Sequence, residues 1–307
     1  MPPSPIIVVT EGLEAVPLRW LKEQAQVREV KWTDTPALAT ALADAEGLIV
    51  RTYTQVNADL LALAPKLRVV GRAGVGLENI DQVACQARGI KVLSTPTANT
   101  RAVCEYVFDL LLHLGRPIVH LPAPVPAEEF HKYRKTVRGL ELSGKTMAIL
   151  GMGRIGRTVG KVAWALQMNV LYHDLVDVSD LLDFPAQSVE KSELLARADV
   201  LTIHVDMRPG NHHLVNAAAL AQLKKGAYVI NTSRGEVLDA AALAQALRTG
   251  QVAAAAIDVH DPEPPPANYP LWGLPNVIVA PHLAARTQGA MEAMSWVAKD
   301  VVEALRE

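Results

Sequence analysis

At 307 residues the chain is long enough for two domains, and hydrophobic residues at 50% with charged residues at 20% give the composition of a soluble globular protein. Its 30 basic and 32 acidic side chains, a net charge of -2, leave no basic footprint for nucleic acid. No apolar run approaches the roughly 20 residues of a membrane span, which excludes a helical membrane protein.

The chain opens on MPPSPIIVVT, which lacks a charged leader and runs straight into a strand-length apolar stretch, so a signal peptide is not expected and the cytoplasm is. Short apolar runs then recur at Ile6, Val27, Gly47, Leu67 and Ile90, each followed by a helical pattern. This alternation predicts an α/β domain with a parallel sheet, because parallel strands need long crossovers that are usually helices. The two cysteines, Cys85 and Cys104, sit in separate helical segments without metal-type spacing and read as small core residues; no disulfide or metal site is expected.

A long helix follows in TRAVCEYVFDLLLHLG, whose Val103, Tyr106, Val107, Leu110, Leu111 and Leu114 form one stripe that needs a partner face. The proline-rich and charged stretch after it, from Arg116 to Gly139, has no sustained period and reads as a surface excursion. Six more strands are expected, at Thr146, Asn169, Asp199, Ala227, Ala253 and Asn276, before a closing helix from about Gly289.

Between the strand TMAIL and the helix RTVGKVAWAL stand Gly151, Gly153 and Gly156, spaced G-x-G-x-x-G. At a strand-to-helix turn, the first glycine makes the tight turn, the second lets the backbone approach a pyrophosphate and the third lets helix and strand pack closely. Asp174 closes the next strand at the distance where a carboxylate accepts from the ribose hydroxyls. Leu175 and Val176 beside it offer no cation to a 2′-phosphate, so NAD is favoured over NADP.

Four later strand ends carry polar residues, in HVD from His204, NTSRGE from Asn231, IDVHDPEP from Ile257 and APHLAAR from Ala280. In a doubly wound sheet such ends line one crevice, where Arg234, Asp258, Glu263 and His282 could converge. The chemistry this set suits is interconversion of a 2-keto and a 2-hydroxy acid. Arg234 would orient the carboxylate with its planar fork, His282 would handle the hydroxyl proton, and Glu263 would stabilise the imidazolium. The histidines at 113, 120, 131, 173, 212 and 213 read as surface or packing residues.

The order GMGRIG, HD, NTSRGEVLD, AIDVHDPEP, APHLA resembles the D-isomer-specific 2-hydroxyacid dehydrogenases, from about Gly47 to the end. The resemblance implies two Rossmann-like, doubly wound parallel-sheet domains with the active-site cleft between them. Residues 1–98 plus 284–307 would form a flavodoxin-like substrate domain, and residues 99–283 the NAD-binding domain. It gives Arg234, Glu263 and His282 the catalytic roles and extends cofactor contacts to Arg154, Ile155, Val205, Thr232, Ser233, Arg234, Asp258, His282, Leu283, Ala284 and Ala285. It also implies a homodimer.

Arg51 and Arg72, each at the carboxyl end of a strand, with the loop Gly74, Val75 and Gly76, suit a carboxylate and a phosphate held together. This looks most like the family branch that handles 3-phosphoglycerate and 3-phosphohydroxypyruvate in serine biosynthesis. Alternatives on the same scaffold are a hydroxypyruvate or glyoxylate reductase and a dinucleotide-binding corepressor. The chain departs from the family in Asp206, where a proline is usual, and Arg286, where a small or hydroxyl residue is common. The chain ends soon after its closing helix, so a carboxyl-terminal serine-sensing domain is not expected.

Overall fold

The computed structural model describes residues 4–116 and 118–307, whose backbone divides into two compact units: Met1–Asn99 with Ala285–Glu307, and Thr100–Ala284. The first unit begins with β1 (Ile6–Val9), α1 (Ala15–Gln24), β2 (Gln26–Glu29), α2 (Thr35–Leu42), β3 (Gly47–Val50), α3 (Ala58–Ala62), β4 (Val69–Arg72), α4 (Gln82–Ala87) and β5 (Lys91–Ser94). All pairings are parallel and the strand order is β2-β1-β3-β4-β5. Because successive strand residues point to opposite faces, Val8, Leu48 and Val50 enter one core and Ile7, Val9 and Ile49 another. Side-chain caps start α2, α3 and α4: Asp34, Asn57 and Asp81 accept from Ala37, Leu60 and Ala84 amides.

The second unit comprises α5 (Thr100–Gly115), α6 (Ala127–Thr136), β6 (Thr146–Leu150), α7 (Arg154–Ala165), β7 (Asn169–His173), β8 (Gln187–Ser188), α8 (Lys191–Arg197), β9 (Val200–Ile203), α9 (Ala217–Gln222), β10 (Ala227–Asn231), α10 (Ala240–Thr249), β11 (Val252–Ile257) and β12 (Val277–Val279). Its sheet runs β12-β11-β10-β9-β6-β7-β8, again parallel. The strand order reverses between β6 and β9, the place where a doubly wound sheet opens a crevice beyond its strand ends. Val107, Leu110 and Leu111 of the α5 stripe are buried in one core with Met147 and Ile149 of β6 and Val159 of α7, and Tyr106 and Leu114 pack partly buried against it.

The chain then returns to the first unit through α11 (Gln288–Ser295) and α12 (Val297–Arg306). Val297, Val301 and Leu305 of α12 cover the face carrying Ile7, Val9 and Ile49. Two glycines permit this approach: a side chain at Gly71 would overlap Val301, and one at Gly47 would lie 3.1 Å from both Ile7 and Leu305.

The structure corrects three expectations. The surface excursion contains helix α6, none of whose residues is buried; with no core to face, it has no apolar stripe to announce it. Its Glu128 and Glu129 at one end and Arg134 and Lys135 at the other suit the helix dipole instead. The short edge strand β8 was not expected, and the closing helix is two helices that meet at Trp296. Both cysteines are buried thiols in α4 and α5, and burial pushes Cys104 up to about 11.

Candidate active site

Gly151 turns the chain after β6 with φ +96°, a conformation that favours glycine, and a side chain there would stand 2.8 Å from the His204 carbonyl. At Gly156, within the first turn of α7 with Arg154 and Ile155, a side chain would overlap the Gly151 carbonyl oxygen. At Gly153, the N-cap, nothing lies within 4 Å. Gly151 and Gly156 are thus required by the protein itself, whereas Gly153 faces open space at a helix N-terminus, where an anion fits.

Asp174 is built into the same loop. Its Oδ2 accepts from the Met152 amide at 2.6 Å and its Oδ1 from the Val176 amide at 3.0 Å, leaving further lone pairs for hydroxyl donors. Val205 follows β9 and borders Gly151. Thr232 follows β10, and its buried hydroxyl has no hydrogen-bond partner. An open glycine cap, a carboxylate at the next strand end and an orphaned buried hydroxyl fit a dinucleotide, the group these residues would hold.

Asn231 shapes the next turn from within. It is fully buried, donates to the Arg234 carbonyl at 2.9 Å and accepts from the Ser233 amide and hydroxyl at 3.0 and 2.8 Å. Arg234 emerges from that turn half-buried, with Nη1 donating to the Ser233 carbonyl at 2.7 Å. A side chain at Gly235 would overlap the His260 carbonyl, so the two loops touch backbone to backbone.

Asp258 supports the histidine from below. Its carbonyl accepts from the His282 amide at 2.9 Å, and its carboxylate accepts from the Leu283 and Ala284 amides at 2.7 and 2.9 Å. Burial pushes this carboxyl above the usual range, against the opposing pull of the two amides. His282 itself has φ +56°, rare for a side-chain-bearing residue. Its Nδ1 donates to Glu263 Oε1 at 2.8 Å, and both side chains remain about two-fifths exposed. Burial would raise the Glu263 carboxyl, but the imidazole hydrogen bond and charge outweigh it and hold the group below its ordinary value. Nε2 of His282 makes no hydrogen bond among the described residues.

His260 was not singled out by sequence reasoning. It is buried, donates through Nε2 to the Ala280 carbonyl at 2.7 Å and accepts at Nδ1 from the Tyr269 hydroxyl at 3.3 Å, tying the Glu263 loop to the chain before His282. Its signal, a histidine two residues beyond a polar strand end, looks like any other polar loop residue. His204 shares a hydrogen bond with Thr202 at 2.8 Å, and burial pushes its pKa down to about 3, so the ring stays neutral. Asp206 is held by Arg208 at 2.8 and 2.7 Å and accepts from Asn211, so the departure from proline organises its own loop.

In the first unit, Arg51 follows β3 beside β1, where the strand order of that sheet reverses. Glu11 builds its turn: the carboxylate accepts from the amides of Arg51, Thr52, Tyr53 and Thr54 and from the Thr54 hydroxyl, at 2.8 to 3.1 Å. The Arg51 guanidinium donates to the Gly12 carbonyl at 3.2 Å and to Met291 Sδ at 3.0 Å, and Arg286 reaches the same sulfur at 3.8 Å. Burial lowers the Arg51 pKa, Arg286 lowers it further, and Glu11 and Glu14 act the other way. Arg72 ends β4 with its guanidinium over Gly74, where a side chain would overlap it; Val75 and Gly76 follow, half-buried.

Residues 108–284 match the family model for the D-isomer specific 2-hydroxyacid dehydrogenase NAD binding domain. Over 98% of its length the chain is 37% identical to D-3-phosphoglycerate dehydrogenases of Mycobacterium leprae, covering 56% of that protein, and of Methanocaldococcus jannaschii, covering 57%. The chain thus spans a little over half the length of the curated relatives it matches. Among solved structures it resembles the TT0316 protein of Thermus thermophilus, with TM-score 0.86 and 31% identity over 98% of this chain and 97% of that one. The chain belongs to the D-isomer specific 2-hydroxyacid dehydrogenase family.

Proposed function

We propose that the protein is an NAD-dependent dehydrogenase that interconverts 3-phosphoglycerate and 3-phosphohydroxypyruvate. The observation that carries the dehydrogenase reading is the His282–Glu263 hydrogen bond of 2.8 Å, mounted on the amide-bound Asp258 of the unit that holds the glycine loop. NAD supplies the hydride acceptor when bound, in the site of Gly151, Gly153, Gly156, Asp174 and Thr232. Arg234 takes the substrate carboxylate in its guanidinium fork and draws the C2 oxygen's electron density. His282 Nε2 gives the proton to that oxygen on reduction and removes it on oxidation, while Glu263 keeps Nδ1 protonated and balances the imidazolium charge.

The phosphorylated substrate is supported by the first unit. Arg51 and Arg286 share one thioether, and neither forms an ion pair among the described residues. Two like charges held side by side suit a dianion, and Arg72 over its glycine loop adds a third cation to the reading. The homodimer is supported by apolar side chains left exposed on and after α5 and on α6, Leu112, Ile118, Val119 and Phe130. In this reading the enzyme serves serine biosynthesis in the cytoplasm.

The test is NADH oxidation with 3-phosphohydroxypyruvate, hydroxypyruvate and glyoxylate side by side, compared by kcat/KM. Preference for the phosphorylated acid, reduced at least about tenfold in Arg51→Ala, is the expected result. Preference for a plain keto acid overturns the substrate and leaves a hydroxypyruvate or glyoxylate reductase. NADH binding with no turnover on any of the three, unchanged in His282→Ala, overturns the enzyme.

A further inference from the structure

The same unit carries a second group of chemically capable side chains that has no part in the proposed catalysis. His212 and His213 follow the 3-10 turn Pro209–Asn211, and Asp261 belongs to the loop after β11. One ligand atom from each lies within 4.8 Å of the others. The two imidazoles are stacked, with centroids 4.1 Å apart and 24° between planes. His213 holds φ +47°, the left-handed region that side-chain-bearing residues rarely adopt, and its amide donates to the Glu236 carbonyl at 2.8 Å.

None of the three side chains makes a hydrogen bond or ion pair within the described residues. Stacking brings imidazole nitrogens side by side with their lone pairs nearly parallel, so the exposed His212 ring must turn for both to face one ion, and an aspartate completes a set of two nitrogens and one oxygen. His212 and Asp261 are exposed and His213 half-buried, so a hydrated ion can enter and keep water on its remaining positions. Ligand atoms around a tetrahedral zinc lie closer than 4.8 Å, because bonds are about 2.0–2.2 Å. Rotation of the two exposed side chains supplies the difference.

We infer that His212, His213 and Asp261 form a site for a borderline divalent cation of the zinc class. Imidazole donors select zinc, cobalt, nickel or copper over magnesium and calcium, which prefer all-oxygen sets. The site joins two loops already described. Asp261 stands two residues before Glu263, and Glu236, which holds His213, stands two residues beyond Arg234. An ion there tethers the segment around residue 212 to the segment around residue 261 whatever reaction the unit performs.

The experiment uses the untagged full chain and cobalt(II) as the probe, followed by its visible d–d absorption and by equilibrium dialysis. One equivalent should bind, be displaced by zinc and survive an excess of magnesium. Asp261→Asn and His213→Asn should each weaken binding at least about tenfold; asparagine is chosen at 213 because it tolerates the left-handed backbone. Circular dichroism confirms that the variants fold. Zinc should also slow amide hydrogen exchange in the parent at both tethered segments and in neither variant. Failure to bind cobalt, displacement by magnesium, or equal binding by the variants overturns the site. None of these readouts requires turnover.

Discussion

His282 and Glu263 form a hydrogen-bonded unit whose members lose different things on substitution. His282→Asn removes the proposed proton carrier and should lower kcat by about 10²–10⁴, the usual contribution of a positioned acid or base. Glu263→Gln keeps an acceptor for Nδ1 but removes the charge that balances the imidazolium. Stopped-flow reduction should then be slowed, by less than in His282→Asn, with the parent rate recovered in Glu263→Asp only if the carboxylate still reaches Nδ1. Glu11 gives a stability prediction of definite sign. Burial would raise its pKa, but the backbone and hydroxyl bonds from Thr52, Tyr53 and Thr54 lower it overall. Its stabilisation is therefore present above the unfolded value near 4.5 and lost as pH falls through the lower folded value. Glu11→Gln should cost about 1–3 kcal/mol by urea unfolding at about pH 7, and the difference should shrink at about pH 3.

At the scale of elements, the glycine loop separates two kinds of requirement. Gly156→Ala forces a methyl into the Gly151 carbonyl and should lower the Tm and NADH affinity together. Gly153→Ala meets no protein atom, so thermal unfolding should stay within a few degrees of the parent while the Kd for NADH, read by fluorescence titration, rises at least about tenfold. This loop was legible because its instructions are local: strand, glycines, helix and Asp174 follow one another within one crossover. The Glu263 and His282 pair was legible as strand-end chemistry, and the structure joins the two side chains. Asn231, His260 and Glu11 were not, because each acts on backbone groups, and for His260 and Glu11 those lie 20 to 43 residues away in sequence. The Arg51 and Arg286 neighbourhood depends on Met291, which no spacing rule places beside Arg51. Helix α6 escaped notice for the opposite reason: helix periodicity reports burial, and α6 buries nothing.

On the scale of the whole molecule, the first unit is assembled from two separated stretches of chain, whereas the second is one continuous stretch. A chain truncated after residue 287 should lose the first unit, since Val297, Val301, Val302 and Leu305 no longer cover Ile7, Val9 and Ile49. The second unit keeps both its cores and its glycine loop, so calorimetry should retain one unfolding transition and NADH should still bind. Both sheets reverse their strand order next to residues of the proposed site, Arg51 beside β1 and Gly151 beside β9, so the proposal falls where each fold leaves a gap rather than where its packing is densest. The divided unit also sets a timetable for biosynthesis. At about 5–20 residues per second, the roughly 200 residues between β5 and α12 take on the order of 10–40 s to emerge from the ribosome. Through that interval the nascent amino-terminal sheet waits with one apolar face covered only in part, by α1, a natural client for a chaperone, while the later-made middle of the protein is free to finish first.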